Sequence, residues 1–450
     1  MANFDVAVGI TQAGINNTLQ SFFKNPTAQT KIFNQHISKQ VGGIKASVDF
    51  SILDSPKLVL APPSQEKWLA SRGIDGKLET GSPPQSNIFQ VNVAQVKVSG
   101  TISGVTVSST GEIDVYGSFS LVDNVLKVLG ISVWIDESKW KKNGFTKLIV
   151  NSIIIPHALK TINNLLNAIP FPQIPSTYTT TGFKNPIMDI VNDNEIVIAT
   201  SLASSPDINL DSYVPPVNKD IYLQADLELI NSVLAKELDN YKFDENSSND
   251  DKKAKSSAEI KGTVKSVRAN IIGNNTYANL NITDLSGYGE LSGLGATIAK
   301  TILCPIGTAI DAASNPKSWD KIVSSFNISY KPNPLSVPVS LKVSPSESVE
   351  VSLGEIESIQ IIASPKWSGV VGSILATAVA AFGDLLSAIF KGKIINKIIK
   401  GKVQNLEVYK RAAITKQLDG VNVTLVGEVG AALIPQDNDL VVEGFTISFA

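Results

Sequence analysis

Near the N-terminus Val6 and Val8 alternate with their neighbours as in a strand. Behind Thr11, a residue suited to capping, Ile15, Leu19, Phe22 and Phe23 recur at helical spacing. The same order returns 215 positions later (Val6 to Ile221): Ile221 and Leu223 alternate, Asp226 stands at the cap, and Ile230, Leu234 and Leu238 follow. Asn16 and Asn231 occupy matching places. Both halves are therefore expected to open strand, cap, amphipathic helix.

The halves also close alike, since Asp193-Asn194-Glu195-Ile196-Val197-Ile198 is echoed by Asp437-Asn438-Asp439-Leu440-Val441-Val442. The offset here is 244, so the second copy carries a net insertion of 29 residues (244 minus 215). Part of it is Asp244 to Ser257, too polar and charged to pack, which predicts a mobile loop. Between the ends, Val91, Val93, Val96, Val98, Ile102, Val105, Val107, Ile113, Val115, Phe119 and Leu121 give period-two stretches broken by Gly100, Gly104, Gly111 and Gly117. That is the pattern of an antiparallel meander with one face buried. Val337 to Val343 and Val349 to Leu353 repeat it around Ser344-Pro345-Ser346. A late helix is expected over about Ala158 to Ala168, and a longer one over Val370 to Lys400. The organisation read from this is a tandem pair, 1–212 and 213–450, of α+β modules in which helices cover the apolar face of a long sheet.

Composition narrows the function. Thirty-nine basic against 41 acidic residues leave a net charge of -2, so no global field favours nucleic acid. A single cysteine, Cys304, excludes an intrachain disulfide and a multi-thiolate metal site. The first residues lack the basic stretch and apolar core of a secretory signal, which predicts a protein that stays in the producing cytoplasm or leaves by a non-classical route. The longest apolar stretch, Val370 to Phe390, is diluted by Ser373, Thr377, Gly383, Asp384 and Ser387 and reads as a buried helix rather than a membrane span.

The helix end Leu165-Leu166-Asn167-Ala168, the run Ile169-Pro170-Phe171-Pro172-Gln173-Ile174-Pro175 and the strand Asn194 to Thr200 together resemble the close of a TULIP module, the tubular lipid-binding fold. The opening, Phe4 to Ile10 leading into Ile15-Asn16-Asn17-Thr18-Leu19, is similar to bacterial members of that superfamily, auxiliary proteins encoded beside some clostridial neurotoxins and insecticidal toxins. The second copy matches less specifically, because it lacks the Pro-x-Pro segment. The resemblance implies tandem TULIP-like modules, each a long curved antiparallel sheet wrapped around long helices, with an apolar seam that accepts acyl chains. Its lining would come from Ile15, Leu19, Phe22, Ile162, Leu165, Leu166, Leu234, Leu238, Leu375, Val379, Phe382 and Leu386. The implied partners are a lipid or membrane surface and other proteins of a toxin complex.

Catalytic chemistry finds little support in the residues. His36 and His157 are the only histidines, Cys304 has no basic neighbour, and each reads as structural. The cluster Gly287 to Gly295 fits neither the dinucleotide fingerprint nor the P-loop and reads as a bend in a sheet or the start of a helix. No cofactor or metal is expected. One charged feature has a mechanism: Lys393, Lys397 and Lys400 share a helical face beside Ile394, Ile395, Ile398 and Ile399, as a site for anionic headgroups or as a solvated face. The reading is a non-enzymatic binder of lipid or another hydrophobic ligand. Its alternatives are an interaction module with a closed seam and a membrane-acting toxin component.

Overall fold

A computed structural model describes residues 3–450 other than 124, 137–138, 141–146, 173, 175–181, 204, 212, 217, 252–253, 273–274, 294–320, 344–347, 357–358, 366–388, 411–413, 428–433 and 437–439. The chain is α+β, with mostly antiparallel, strongly curled sheets and few helices. It divides into two compact units: Met1–Asp226 with Lys410–Ala431 and Leu440–Ala450, and Leu227–Tyr409 with Ala432–Asp439.

In the first unit one sheet runs Ile414–Leu418, Val421–Gly427, Leu440–Phe449, Ile221–Asp226, Val6–Thr11, Glu195–Thr200, Ile187–Val191, antiparallel throughout. Val6–Thr11, Glu195–Thr200 and Ile221–Asp226 are buried along almost all of their length, as suits strands covered on both faces. The two strands that open the halves of the sequence are thus direct neighbours, with Val8 opposite both Leu223 and Ile198. The sequence offsets would put Leu223 opposite Val442; instead Leu223 faces Glu443 and Gln224 faces Val442, one residue along.

The second sheet of this unit is the expected meander. Ile88–Ile102, Val105–Val122 and Val125–Ile135 pair in turn, with Ile44–Ile52 and Asn34–Val41 beyond the first of them. Of the four glycines expected to break it, only Gly104 makes a turn, at φ 84°, a conformation other residues rarely adopt. The other three lie inside strands. The late helix spans Ile155–Asn167 and follows a π-helical turn, Val150–Ile154. It lies on Val125–Ile135, held by two side chains: Asn163 Oδ1 accepts from Gly130 N at 2.6 Å and Asn167 Oδ1 from Val128 N at 3.1 Å.

The second unit is built on Tyr241–Asp251, Ala254–Ile272, Asn275–Gly293, Leu335–Val343, Ser348–Leu353 and Leu406–Lys410, in that order. Lys321–Lys331 pairs with the far half of Asn275–Gly293 and with Gln360–Pro365. The cluster beginning at Gly287 therefore enters a strand, not a phosphate loop. Leu227–Leu238 forms the opening helix, and Asn231 Oδ1 accepts from Ala269 N at 2.6 Å. The segment expected as a loop is instead an antiparallel hairpin, paired from Tyr241 with Val264 out to Asp251 with Ala254. Its polar residues can be ordered without a core of their own, because backbone pairing satisfies the amides. The long second helix differs too. Ile389–Ile399 is π-helical and continues as Lys400–Val403, while most of Val370 to Phe390, with Leu375, Val379, Phe382 and Leu386, lies outside the described residues. Among the described residues, no helix is long and apolar enough to cross a membrane.

Candidate functional site

The apolar seam of the first unit is built where the late helix and the segment after it meet the central sheet. Thr11 Oγ1 accepts from Gly14 N at 2.9 Å and starts the helix Gln12–Lys24, as its position predicts. Asn16 then ties that helix to the short strand Lys57–Val59, accepting from Leu58 N at 2.7 Å and donating to Leu58 O at 3.0 Å. With the helix so fixed, Ile15, Leu19 and Phe22 are buried. On the late helix Ile162, Leu165 and Leu166 are buried as well. Ile15 and Leu166 line an apolar cavity of about 20 Å³ with Ile10, Phe119 and Phe171. A second cavity of about 40 Å³, lined by Val8, Ile198, Ile414 and Lys416 among others, shares Leu126 and Phe171 with the first. Leu19, Phe22, Ile162 and Leu165 pack elsewhere; the Phe22 ring meets Phe449 edge-on at 5.0 Å. Leu234 and Leu238 are buried in the second unit.

Of the lining, only Ile15 and Leu166 are assigned to the seam from sequence; Phe171 and Lys416 are the most telling of the rest. Phe171 was visible only as part of the Pro-Phe-Pro run, a shape signal, yet its ring borders both cavities. Lys416 carried no signal at all, being one lysine in a short hairpin. Its Nζ donates at 2.8 Å to the carbonyl of Asn167, the last residue of the late helix. A cation there suits the helix dipole and satisfies an orphan carbonyl. Burial, with the nearby Lys127 charge, holds the Lys416 ammonium below the usual lysine range.

The opposite face of the central sheet carries a buried polar network. Tyr213 and Tyr222 hydroxyls lie 2.7 Å apart, and Tyr213 also donates to Gln224 Oε1. Tyr222 bonds Glu195, whose other oxygen, Oε1, has no partner among the described residues. Burial pushes the Glu195 carboxyl up to about 7, against the Tyr222 bond that lowers it.

Other titratable groups are engaged structurally. Lys67 Nζ meets Asp114 and lies 3.6 Å from Glu112, and it also sits 4.4 Å from the centre of the Trp134 ring. Asn92 donates to both carboxylates at 2.6 Å. His157 packs edge-on against Phe50 at 4.7 Å and is pushed down to about 4 by burial and then by Lys160. His36 lies on the surface, 2.8 Å from Asp49. Cys304 lies outside the described residues. Among the described residues no cluster of His, Cys, Asp and Glu could hold a metal ion.

Lys393 Nζ donates to Asn246 O of the polar hairpin, and Lys402 lies 4.9 Å over the Tyr241 ring. Lys393 and Lys397 lie on π-helical backbone, whose wider winding departs from the α-helical spacing assumed for their common face, and Lys400 opens the turn that follows.

No protein-family model and no curated protein matches the chain. Among solved structures, P47 from Clostridium botulinum A2 aligns with a TM-score of 0.37 and 11% identity over 98% of this chain and 97% of its own. P47 of Clostridium botulinum E1 gives 0.37 and 9% over 99% and 100%. A lipopolysaccharide binding protein gives 0.34 and 11% over 99% of each chain. At these scores and identities the likeness assigns no function to this chain.

Proposed function

We propose that the chain is a non-enzymatic binder of lipid or another hydrophobic ligand, taken up at the seam of its first unit. The observation that carries this reading is the pair of apolar cavities that share Leu126 and Phe171 on the face of the central sheet. Their volumes, about 40 and 20 Å³, are far below the roughly 300–1,000 Å³ of a ligand site. Uptake of an acyl chain therefore requires Phe171 and Ile174 to swing away. An apolar ligand would be driven in by burial of its surface, roughly 0.8 kcal/mol per methylene. Lys416 and the exposed Lys127 stand on the same side for an acidic headgroup.

The small volumes favour one alternative, an interaction module in which the fold is kept and the seam stays shut. An accessory role beside a bacterial toxin rests on the resemblance of the opening segment alone. Native mass spectrometry of the intact chain, with organic extraction and lipid analysis, separates the two main readings. Co-purifying lipid, increased by Phe171→Ala, supports uptake at the seam. Empty protein that also fails to take up added fatty acid or phospholipid, with or without Phe171→Ala, leaves the closed module.

A further inference from the structure

A cavity of about 400 Å³ opens on a different face of the late helix, and its lining is polar: Lys31, Gln35, Lys160, Thr161, Asn164 and Asp419 take part in it. Three elements bring these residues together. The π-helical turn Gln29–Phe33 carries Lys31, the helix Ile155–Asn167 carries Lys160, Thr161 and Asn164, and the turn between Ile414–Leu418 and Val421–Gly427 carries Asp419. The ammonium of Lys31 lies against that turn, 3.0 Å from where a β-carbon on Gly420 would stand. Neither lysine has an ion-pair or hydrogen-bond partner for its ammonium among the described residues, and the Asn164 carboxamide also has none. Thr161 is 4% exposed, and its hydroxyl, on the cavity wall, makes no hydrogen bond among the described residues. The hydroxyl is open to the cavity, so with the two ammonium groups and the Asn164 carboxamide it presents donors and acceptors that a ligand can engage.

We propose that this cavity binds an organic phosphate, its phosphoryl group between Lys31 and Lys160 and its hydroxyl-bearing part against Thr161, Asn164 and Asp419. Two cations around a small space suit a compact dianion, and the neutral groups suit an alcohol. Asp419 sets the sign of a test, because its carboxylate repels the anion while accepting from a ligand hydroxyl. The source is either a free phosphate ester or a lipid headgroup.

Full-length protein is titrated calorimetrically with glycerol 3-phosphate and with inorganic phosphate, and mixed with phosphatidylcholine vesicles with and without phosphatidic acid. Saturable binding of glycerol 3-phosphate is expected, weakened roughly tenfold by Lys31→Gln or Lys160→Gln, as loss of a charge-assisted bond predicts. Both lysines are exposed, so these variants keep the fold. Asp419→Asn is expected to tighten inorganic phosphate several-fold, and Thr161→Val to weaken the ester with an unchanged melting temperature. Binding of phosphatidic acid vesicles alone, still dependent on both lysines, identifies the lipid source. Absence of binding to either probe at millimolar concentration, or equal binding by the lysine variants, overturns the proposal. The apolar seam is untouched by these substitutions, so its lipid content reads out separately.

Discussion

Gly9 lies directly opposite Tyr222 in the antiparallel pair formed by Val6–Thr11 and Ile221–Asp226, and the phenol ring covers it so closely that a β-carbon would stand 2.3 Å from Cζ. Tyr222 is fully buried, and its hydroxyl is fixed by Tyr213 and Glu195. The ring has no free rotamer to retreat to. Gly9→Ala is therefore expected to destabilise the chain by about 1–3 kcal/mol, the range for overpacking a tight core. Combining it with Tyr222→Leu should recover part of the loss, measured as the denaturant midpoint of each variant.

The same network gives stability a pH dependence. Glu195 has its carboxyl raised from 4.5 to about 7, so the folded state holds the proton more tightly than the unfolded chain. The stabilisation from the protonated form is complete below about 4.5 and is lost as pH rises through about 7, a span on the order of 3 kcal/mol. The groups facing it are Thr11 across the strand pair and the hydroxyls of Tyr222 and Tyr213, and no described cation pairs with it. His157 acts in the opposite sense, since its lowered value makes stability fall as pH drops from 6.5 to about 4. Thermal melting of Glu195→Gln relative to wild type isolates the first effect. The variant should gain stability at pH 8 and show little advantage at pH 4.5; equal shifts at both pH values would refute the assignment.

Lys67 and Asp114 form a pair of which the carboxylate side chain is 4% exposed and the lysine 39%. Burial works to lower the lysine, yet its bonds to Asp114 and Glu112 leave it raised overall. Lys67→Met keeps the stem but strands a buried carboxylate, which normally costs about 3–5 kcal/mol when a buried pair is broken. The half-exposed lysine end reduces that to roughly 2 kcal/mol. Lys67→Met with Asp114→Asn should lose less than the single change, as a chemical-denaturation double-mutant cycle would show.

Much of the scaffold was legible because it follows period and punctuation. Thr11, Asn16 and the Ile15, Leu19, Phe22 series announced the first helix, and the alternating valines of Val91 to Val115 announced the meander, since both signals are local. What escaped depended on contacts between separate segments. Lys416 meets Asn167 across 249 residues, so no local window contains that contact; Glu195, Tyr213 and Tyr222 are near one another in sequence but come from three separate segments, and no periodic pattern brings them together. Phe171 was noticed for its prolines, and its place between two cavities came only from the packing. The hairpin from Tyr241 escaped because low hydrophobic content predicts a loop, whereas its strands are ordered by backbone pairing within a larger sheet, Ala254 to Lys261 pairing also with Ser286 to Gly293.

That hairpin offers the last test. Near its base Phe243 is 4% exposed, opposite Gly262, and this buried ring fixes the register of the two strands. Farther out, Asn246 to Asp251 has no apolar residue and belongs to the outer strand of the sheet, Ala254 to Glu259 being paired on its other side with Tyr288 to Gly293, so a slip of the outer strand by one residue moves no apolar residue to the wrong face. Deleting Ser248 should therefore be absorbed by re-pairing of the tip, with a melting temperature within a few degrees of wild type. The contact from Lys393 to Asn246 lies inside the deletion and should persist. Phe243→Ala should instead cost about 3–5 kcal/mol, the usual loss for a buried phenylalanine. A collapse of the Ser248 deletion comparable with that of Phe243→Ala would show that the distal strands are locked by packing after all.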